Sequence, residues 1–384
     1  MPERYQRLGP TPDAALVRLM ALRETLGITR IADITGLDRI DIPVVQAVRP
    51  FSLSNVVSQG KGASLTDAAI SAIMESCETF FAERIARTET IMASANRLGI
   101  PTGAFDRHLQ HDAPAGWRDL DVAWVAAHDL LGGARTTVPF ELVHTAYVLP
   151  ARPDEGIFAS STSGLAAGFA EGDAIVHGML ECIERDAIAR AYQTHGFFQR
   201  HRINEKTIDD PAVLGLLDDL ARKGLVAGLW CAPSPVGLPV IWCHLMEAGP
   251  PETALLHHPA DGSAAGFHAA GAIADAIYEA AQARLAAISG ARDDITRAFY
   301  PKYPDWQAIA AHRKLLVDGP RSIDFRVLDD PGVEAPGDQL SCLLADLERA
   351  GTGPVHMIRL DTGSIADLSV MKVVIPGLWP LVEG

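Results

Sequence analysis

A chain of 384 residues with 48% hydrophobic and 21% charged residues can bury a large core, and this composition excludes a disordered protein. Its net charge of −15 argues against broad electrostatic binding to nucleic acid or to an acidic membrane surface, because both are themselves negative. The five cysteines are odd in number and form no CxxC pair, so a reducing cytoplasm is the predicted location.

Apolar periodicity and turn formers predict helices and strands that interleave along the whole chain. Helices are predicted at 14–26, 66–95, 172–193, 209–222, 269–288, 307–314 and 339–350. Strands are predicted at 42–48, 54–57, within 121–150 and especially at 137–149, and at 224–247, 253–257, 355–360 and 370–375. The uncharged run 224–243 contains three prolines and three glycines, so two buried strands that meet at Pro233-Ser234-Pro235 are expected there instead of a membrane-spanning helix.

No clear linker separates these elements. We therefore expect one α/β body over residues 1–384 in place of separate modules. Within it we distinguish an N-terminal segment (1–50), a core that carries the motifs described next (54–294) and a C-terminal segment (295–384).

One pattern occurs three times: a glycine turn, then thirteen residues later a glutamate on an apolar, helix-like run. A second polar group follows each glutamate after three residues, and positions i and i+3 share one face of a helix. Three such helices that converge would bring several carboxylates together, which requires a cation. The copies are Gly62 to Glu75 and Glu78, Gly168 to Glu181 and Glu184, and Gly266 to Glu279 and Gln282.

The second copy has the most polar helix face. Asp173, His177, Glu181 and Glu184 fall within an arc of roughly 80°, opposite an apolar face. Such a stripe on one helix is normally its solvated side. Three copies in register, each opened by a glycine, favour a functional interpretation instead.

The familiar nucleotide-binding loops are absent from the sequence. Gly60-Lys61-Gly62 lacks the upstream glycine and the Ser or Thr of a Walker A loop, and no GxGxxG opens a helix after a strand. Mg²⁺ is commonly bound through carboxylates together with substrate phosphates, so the carboxylates and nearby cations indicate a Mg-nucleotide site of another design. These cations are Lys61, Arg185, Arg190, Arg284 and Arg292.

Several of these side chains also have a purely structural interpretation, which the sequence leaves open. Arg185 lies between two acidic residues and would pair with them at the surface. Arg284 and Arg292 lie near a helix end and would compensate its dipole. Lys61 in a flexible turn is well placed for a phosphate, and His177 fits a hydrogen-bonding role better than a Mg²⁺ ligand.

Three passages within residues 54–294 resemble the YcaO family, the ATP-dependent enzymes that activate peptide backbone amides. The stretches Leu26-Gly-Ile-Thr-Arg30 and Thr35-Gly-Leu-Asp38 look like stand-alone members that are paired with a TfuA protein. The closing Val373-Val-Ile-Pro-Gly377 is also similar to the family. The three passages are Ser58-Gln-Gly-Lys-Gly-Ala63 leading to Glu75-Ser-Cys-Glu78, Gly164-Leu-Ala-Ala-Gly168 leading to Glu181-Cys-Ile-Glu-Arg-Asp-Ala187, and Glu279-Ala-Ala-Gln-Ala-Arg284 running to Gly290-Ala-Arg-Asp-Asp294.

The resemblance implies an α+β, YcaO-type fold with mixed β-sheets flanked by helices and built around the three repeats. It also implies an ATP site formed by these carboxylates. By position, Glu78, Glu181 and Glu184 would hold Mg²⁺. The residues around the nucleotide would be Lys61, Glu75, Asp173, Arg185, Glu279 and Arg284, with Asp173 where the family usually has glutamate.

The chain departs from the family pattern at three places. Thr79 stands where many members have arginine, and Phe169 stands where many have asparagine, so one or two nucleotide contacts are expected from elsewhere. The C-terminal residues 376–384 lack the proline-rich tail that is common in azoline-forming members.

The resemblance implies that ATP phosphorylates the oxygen of a peptide backbone amide, with a thioamide as the favoured product. The expected partners are a peptide substrate, a TfuA-type protein and a sulfur donor, and a homodimer is left open. Neither nucleic acid nor a membrane is an expected partner. Two alternatives remain: azoline or amidine formation by the same ATP chemistry, and a non-catalytic ATP-binding accessory protein of a modification complex. The residues single out no general base.

Overall fold

The structure is a computed structural model that describes residues 10–148, 154–250, 254–292, 300, 305–361, 363, 365 and 368–381. Its helices are α1 (Pro12–Ala21), α2 (Leu65–Ala82), α3 (Glu171–Gln193), α4 (Phe197–Arg200), α5 (Pro211–Arg222), α6 (Ala269–Ser289), α7 (Trp306–Asp318) and α8 (Pro336–Arg349). Its strands are β1 (Arg30–Asp33), β2 (Val44–Val48), β3 (Val57–Lys61), β4 (Thr90–Ala93), β5 (Val122–Asp129), β6 (Arg135–Pro139), β7 (Leu165–Gly168), β8 (Ile203–Asn204), β9 (Leu225–Cys231), β10 (Val240–Glu247), β11 (Ala260–Ala265), β12 (Ile323–Asp324), β13 (His356–Arg359) and β14 (Ser369–Val374).

The chain divides into two compact units whose segments interleave in sequence. Unit 1 comprises Met1–Pro50, Asn55–Ile73 and Arg190–Glu334. Unit 2 comprises Phe51–Ser54, Met74–Ala189 and Ala335–Gly384. Two of the boundaries fall inside α2 and α3, and only the boundary after Pro50 coincides with a limit of the sequence segments 1–50, 54–294 and 295–384. The single body over residues 1–384 stays a prediction.

Unit 1 is built on short antiparallel sheets. Strands β1, β2 and β3 form one sheet, β9, β10 and β11 form a second, and β8 pairs with β12 in parallel. Helix α6 packs on the second sheet, where its Ile273 and Ile277 join Leu229 and Ile241 in one buried cluster. Alanines fill the rest of this helix face, so α6 can lie close to the strands.

Two strand glycines set how closely helices lie on the sheets of unit 1. A Cβ on Gly262 would lie 2.2 Å from the backbone nitrogen of Ala280 in α6, and a Cβ on Gly60 would lie 2.1 Å from the backbone oxygen of Ala68 in α2. Real Cβ atoms essentially never come within 3.0 Å of a neighbour, so both positions need glycine. The prediction that Gly60 and Lys61 form a turn was wrong, because both belong to β3.

Unit 2 is organised around a six-stranded antiparallel sheet. Its strand order is β4-β5-β13-β14-β7, and β6 also pairs with β5. Strand β14 lies between β13 and β7, and all six of its residues are buried. A lysine, Lys372, lies in the middle of this buried strand and is 1% exposed.

The three sequence repeats are confirmed as strand–glycine–helix units, namely β3–α2, β7–α3 and β11–α6. In each repeat, the glycine lies against the residue six positions later, which belongs to the first turn of the helix. A Cβ on Gly62 would come within 3.1 Å of the Ala68 nitrogen, and a Cβ on Gly168 within 2.9 Å of the Ala174 nitrogen. The third glycine, Gly266, has its nearest neighbour at 3.7 Å, so this position has room for a side chain.

Most predicted elements are confirmed to within a few residues, including α3, α5, α6, α8, β13 and the break between β9 and β10. Helix α2, predicted to reach residue 95, ends at Ala82. The next residue, Glu83, accepts hydrogen bonds from the backbone of Leu53 and Ser54 and from the Ser52 hydroxyl, which fixes the chain outside the helix.

Two predicted strands are wrong in extent. The strand expected at 137–149 ends as β6 at Pro139, because a 3₁₀ turn follows at Phe140–Leu142. Its last residue, Leu149, lies outside the described residues. The strand expected at 253–257 begins at residue 253, outside the described residues, and residues 254–257 are not extended strand. The strand of this region is β11 instead, whose small residues hide the apolar alternation of a strand.

Among the helices that the structure describes, none combines the length and the apolar character needed to cross a bilayer.

Candidate functional site

Unit 2 brings together the glutamates of the first two repeats, which we call the carboxylate cluster (Glu75, Glu78, Glu181 and Glu184). Glu78 Oε1 accepts a hydrogen bond of 2.8 Å from the backbone N–H of Ala167. Glu181 Oε2 accepts one of 3.0 Å from the N–H of Gly164. Because these two N–H groups belong to one four-residue stretch, the carboxylates of α2 and α3 face the same short segment of chain.

The glutamates of this cluster repel one another. Burial raises the pKa of the Glu78 carboxyl well above its usual range. The hydrogen bond from Ala167 opposes this effect, and the negative charges of Glu75 and Glu181 raise the pKa further. A cation bound here would remove both the repulsion and the cost of burying the charge.

One arginine already faces the cluster. Arg185 Nη2 lies 3.6 Å from Glu181 Oε1, and Arg185 Nε lies 3.9 Å from Glu184 Oε1. The next residue, Asp186, is buried and accepts the backbone N–H of Trp379 at 2.8 Å. The structural interpretation, in which Arg185 pairs at the surface with Glu184 and Asp186, is therefore incomplete, because Asp186 is buried and bonded to Trp379.

The cluster fits a cation that is bound together with a phosphate ligand. No three carboxylate, imidazole or thiol groups in the described part of the chain are placed to hold a metal ion by themselves. Mg²⁺ typically takes one or two carboxylates and completes its octahedron with water and substrate phosphates. The cluster contains more carboxylates than Mg²⁺ typically takes, so the assignment of Glu78, Glu181 and Glu184 as Mg²⁺ ligands stays a prediction.

Replacing Glu78 by Gln is expected to raise the melting temperature of the metal-free protein at pH 7. Gln keeps the oxygen that accepts the Ala167 N–H but carries no charge to bury. The pKa of Glu78 is higher in the folded protein than in the unfolded chain, so its contribution to stability is fully present at pH values below the unfolded pKa. This contribution is lost as the pH rises through the folded pKa. Thermal unfolding in a chelator across pH 4 to 8 is the measurement. A variant less stable than wild type at pH 7 would contradict the interpretation.

Unit 1 contains three other predicted nucleotide residues. Lys61 Nζ lies 2.5 Å from Glu279 Oε2, so the strand of the first repeat and the helix of the third repeat are joined by an ion pair. Both side chains remain about a quarter exposed, at 28% and 26%. This exposure leaves both groups accessible to a ligand, and their nucleotide role stays a prediction.

The third of these residues, Arg284, is fully buried in a charged network. Its Nε donates to Asp38 Oδ2 at 2.5 Å, and its Nη2 donates to Glu247 Oε1 at 2.7 Å. Its Nη1 is buried without a hydrogen-bond partner in the described residues. Arg39 pairs with Glu247 from a half-exposed position. The helix-dipole interpretation of Arg284 is therefore insufficient, and Asp38, known from sequence only as part of a motif, is its counter-ion.

Positions that depart from the family pattern are placed as follows. Thr79 is buried, and its hydroxyl donates to the backbone oxygens of Glu75 at 3.1 Å and Ser76 at 3.3 Å. Asp173 lies half-buried in the first turn of α3, and Phe169 is half-buried just before that helix. Asp293 and Asp294, which end the third passage, and residues 382–384 of the C-terminal stretch lie outside the described residues.

Two residues of unit 2 with ionisable side chains, Lys372 and His108, are not among the residues predicted from the sequence. The sequence analysis places Lys372 only within a predicted strand, although a lysine inside the apolar run from Val370 to Ile375 is unusual enough to indicate a function. His108 lies in a loop-rich region and offered no signal. Both line a cleft that also contains Arg185.

The chain is similar to known proteins both in sequence and in structure. The model of the family described as YcaO cyclodehydratase, ATP- and Mg²⁺-binding, matches residues 59–379. An uncharacterised protein of Mycobacterium tuberculosis is 31% identical over 377 residues, which cover 96% of this chain and 81% of that protein. A protein encoded in the tfuA 3′ region of Rhizobium leguminosarum bv. trifolii is 30% identical over 303 residues, with 78% of this chain and 71% of that protein covered. The structure of YcaO from Methanopyrus kandleri bound with AMPPCP and Mg²⁺ matches 98% of this chain and 93% of that chain with a TM-score of 0.73 at 22% identity.

Proposed function

The chain belongs to the YcaO family of ATP- and Mg²⁺-binding, peptide-modifying proteins, and on that premise we propose that it uses ATP to phosphorylate the oxygen of a peptide backbone amide and so forms a thioamide. The observation that carries the proposal is the carboxylate cluster of unit 2, where Glu78 is held against the repulsion of Glu75 and Glu181. Such a buried concentration of negative charge suits a site that is completed by a cation and a triphosphate.

In the proposed reaction a sulfur nucleophile attacks the carbonyl carbon, and the electron pair of the C=O bond moves to oxygen. That oxygen attacks the γ-phosphorus of ATP, the bond to the β–γ bridging oxygen breaks, and ADP leaves. The C–O bond then breaks, inorganic phosphate leaves, and loss of the S–H proton gives C=S. Overall, amide, H₂S and ATP give thioamide, ADP and phosphate.

The chain's own residues serve this reaction chiefly by position and charge. Glu78, Glu181 and Glu184 would hold Mg²⁺, which neutralises phosphate charge when bound. Arg185 faces Glu181 and Glu184 and would contact a phosphate oxygen there. Lys61 and Glu279 are proposed as further nucleotide contacts, together with Glu75, Asp173 and Arg284.

A TfuA-type protein is the proposed partner in sulfur delivery. The relative encoded in a tfuA 3′ region and the motifs at residues 26–30 and 35–38 support this choice. Azoline formation is the second candidate, because the family model that matches is described as a cyclodehydratase. In that reaction a side chain of the peptide is the nucleophile and water is lost.

The proposal is tested by phosphate release from ATP with peptide pools, Mg²⁺ and sulfide, with and without a TfuA-type protein. We expect release that depends on peptide and is lost in Glu184→Gln, with a product heavier by the mass difference between sulfur and oxygen. A product lighter by one water would support the azoline alternative. ATP binding without peptide-dependent release from any pool would favour the accessory-protein alternative.

A further inference from the structure

Unit 2 contains a narrow cleft that borders the carboxylate cluster through Arg185; its enclosed volume is about 30 Å³ and the rest of it opens to solvent. It is lined on one side by α3 and on the other by β14 and the residues that follow this strand. The polar groups in its wall come from His108, Ser161, Ser163, Arg185 and Lys372. Cys182 adds a neutral thiol, because burial raises its pKa to about 12.

Lys372 brings an incompletely bonded cation into this cleft. Its Nζ donates one hydrogen bond of 2.7 Å to the backbone oxygen of Ser161. In the part of the chain that the structure describes, no carboxylate lies within ion-pair distance of this amine. An ammonium group has three N–H donors, so further donors are available to a ligand. Burial lowers the pKa of Lys372 to about 8, while the neighbouring Cys182 and Glu181 act in the opposite direction.

His108 brings an acceptor into the same cleft. Its Nε2 is buried and has no hydrogen-bond partner among the described residues. Burial lowers the pKa of His108 to about 4, the hydrogen bond with the Ile375 backbone opposes this, and the positive charges of Lys372 and Arg107 lower it further. The imidazole is therefore neutral at pH 7, with a lone pair on Nε2 while its other nitrogen bonds the Ile375 backbone.

The far wall of the cleft is held in place. The backbone N–H of Trp379 donates to Asp186 Oδ1 at 2.8 Å, and the guanidinium carbon of Arg107 lies 4.2 Å from the centroid of the Trp379 ring. A Cβ on Gly377 would lie 2.0 Å from the Thr352 backbone oxygen, so the turn before Trp379 is packed tightly as well. The wall of the cleft that contains Trp379 is therefore apolar and fixed in position.

We propose that this cleft binds the reacting secondary amide of the peptide, with its carbonyl oxygen on Lys372 Nζ and its N–H on His108 Nε2. One donor and one acceptor match the two polar groups of a peptide bond. Inorganic phosphate, a product of the proposed reaction, fits less well, because the lone pair on His108 Nε2 would repel the phosphate oxygens.

This assignment rests on the proposed function and adds a catalytic residue to it. When the nucleophile adds to the carbonyl carbon, the C=O electron pair moves to the oxygen, and the Lys372 ammonium stabilises the resulting oxyanion until it attacks the γ-phosphorus. A preorganised donor aimed at developing charge is the usual means of stabilising such an intermediate. Lys372 keeps its proton throughout the step.

The test uses N-methylacetamide, the simplest secondary amide, on the whole protein without ATP. Crystals soaked with it are expected to show its oxygen on Lys372 Nζ and its nitrogen on His108 Nε2, and solution NMR is expected to show binding at least about tenfold weaker in Lys372→Met. Inorganic phosphate is soaked in parallel. An empty cleft with the amide, or phosphate bound on Lys372 in its place, would overturn the proposal.

Stability gives a second readout that a purely structural lysine would not share. Lys372→Met has nearly the same volume and removes a buried, unpaired charge, so its melting temperature is expected to equal or exceed that of wild type. Lys314→Met, on the exposed face of α7, is the matched control. A clear loss of stability in Lys372→Met alone would assign the lysine to the fold and overturn the proposal. Failure of Mg-ATP binding would contradict the proposed function without altering the amide result.

Discussion

Replacing Glu184 by Gln is expected to weaken Mg-dependent ATP binding by about 100-fold or more, which corresponds to about 2.7 kcal/mol. Glu184 is 9% exposed and lies on α3 one turn beyond Glu181, and Arg185 lies within 3.9 Å of both carboxylates. If Glu184 holds Mg²⁺ as proposed, the substitution replaces a carboxylate by an amide oxygen, which is a weaker ligand for a hard cation, and removes one negative charge next to the metal.

Calorimetry with ATP, in the presence and absence of Mg²⁺, is the measurement. Glu171→Gln is the matched control, because Glu171 lies on the same helix but is 48% exposed and pairs with Arg359. We expect this control to bind as wild type does. Equal binding by wild type and Glu184→Gln would contradict the assignment of Glu184 as a Mg²⁺ ligand.

Replacing Gly262 by Ala is expected to destabilise the protein by about 3 kcal/mol or more, or to prevent its accumulation in folded form. The new methyl group would lie 2.2 Å from the Ala280 nitrogen and 2.5 Å from the Ala276 oxygen. Both are backbone atoms of α6, which cannot give way as a flexible side chain does, so the whole helix would have to move away from its sheet.

Gly266→Ala is the matched control for this prediction. It adds the same methyl group just beyond the same strand, where the nearest atom lies at 3.7 Å. Its stability is expected to change by less than about 1 kcal/mol. Chemical denaturation of the two variants measures the difference. Similar stabilities for both would mean that α6 packs more loosely than the structure indicates.

Sequence patterns predicted the parts of the fold that depend on local order. Helix α3 was predicted nearly to the residue because its polar face and its apolar face repeat with helical period over six turns. Strand β11 was missed because Gly262 and Ser263 serve close packing under α6 and do not alternate with apolar residues. The small residues of β11 are explained by its contact with α6, and a pattern within the strand itself does not reveal that contact.

The same distinction applies to the candidate site. The spacing from Gly168 to Glu181 repeats that from Gly62 to Glu75, so the meeting of the first two helices was predictable. The partner of Arg284 was not, because Asp38 lies 246 residues away along the chain. Lys372 and His108 come from a buried strand and a distant loop, and only the folded chain shows that they share a cleft.

The position of β14 in its sheet bears on how this protein emerges from the ribosome. Strand β7, which leads into the cluster-bearing α3, pairs with β14 by joining Gly168 to Ser369. Translation therefore completes β7 and α3 some 200 residues before their sheet partner exists. During that interval the edge of β7 is exposed as an unpaired template for other chains, so the nascent polypeptide is expected to engage chaperones at this segment until β14 closes the sheet.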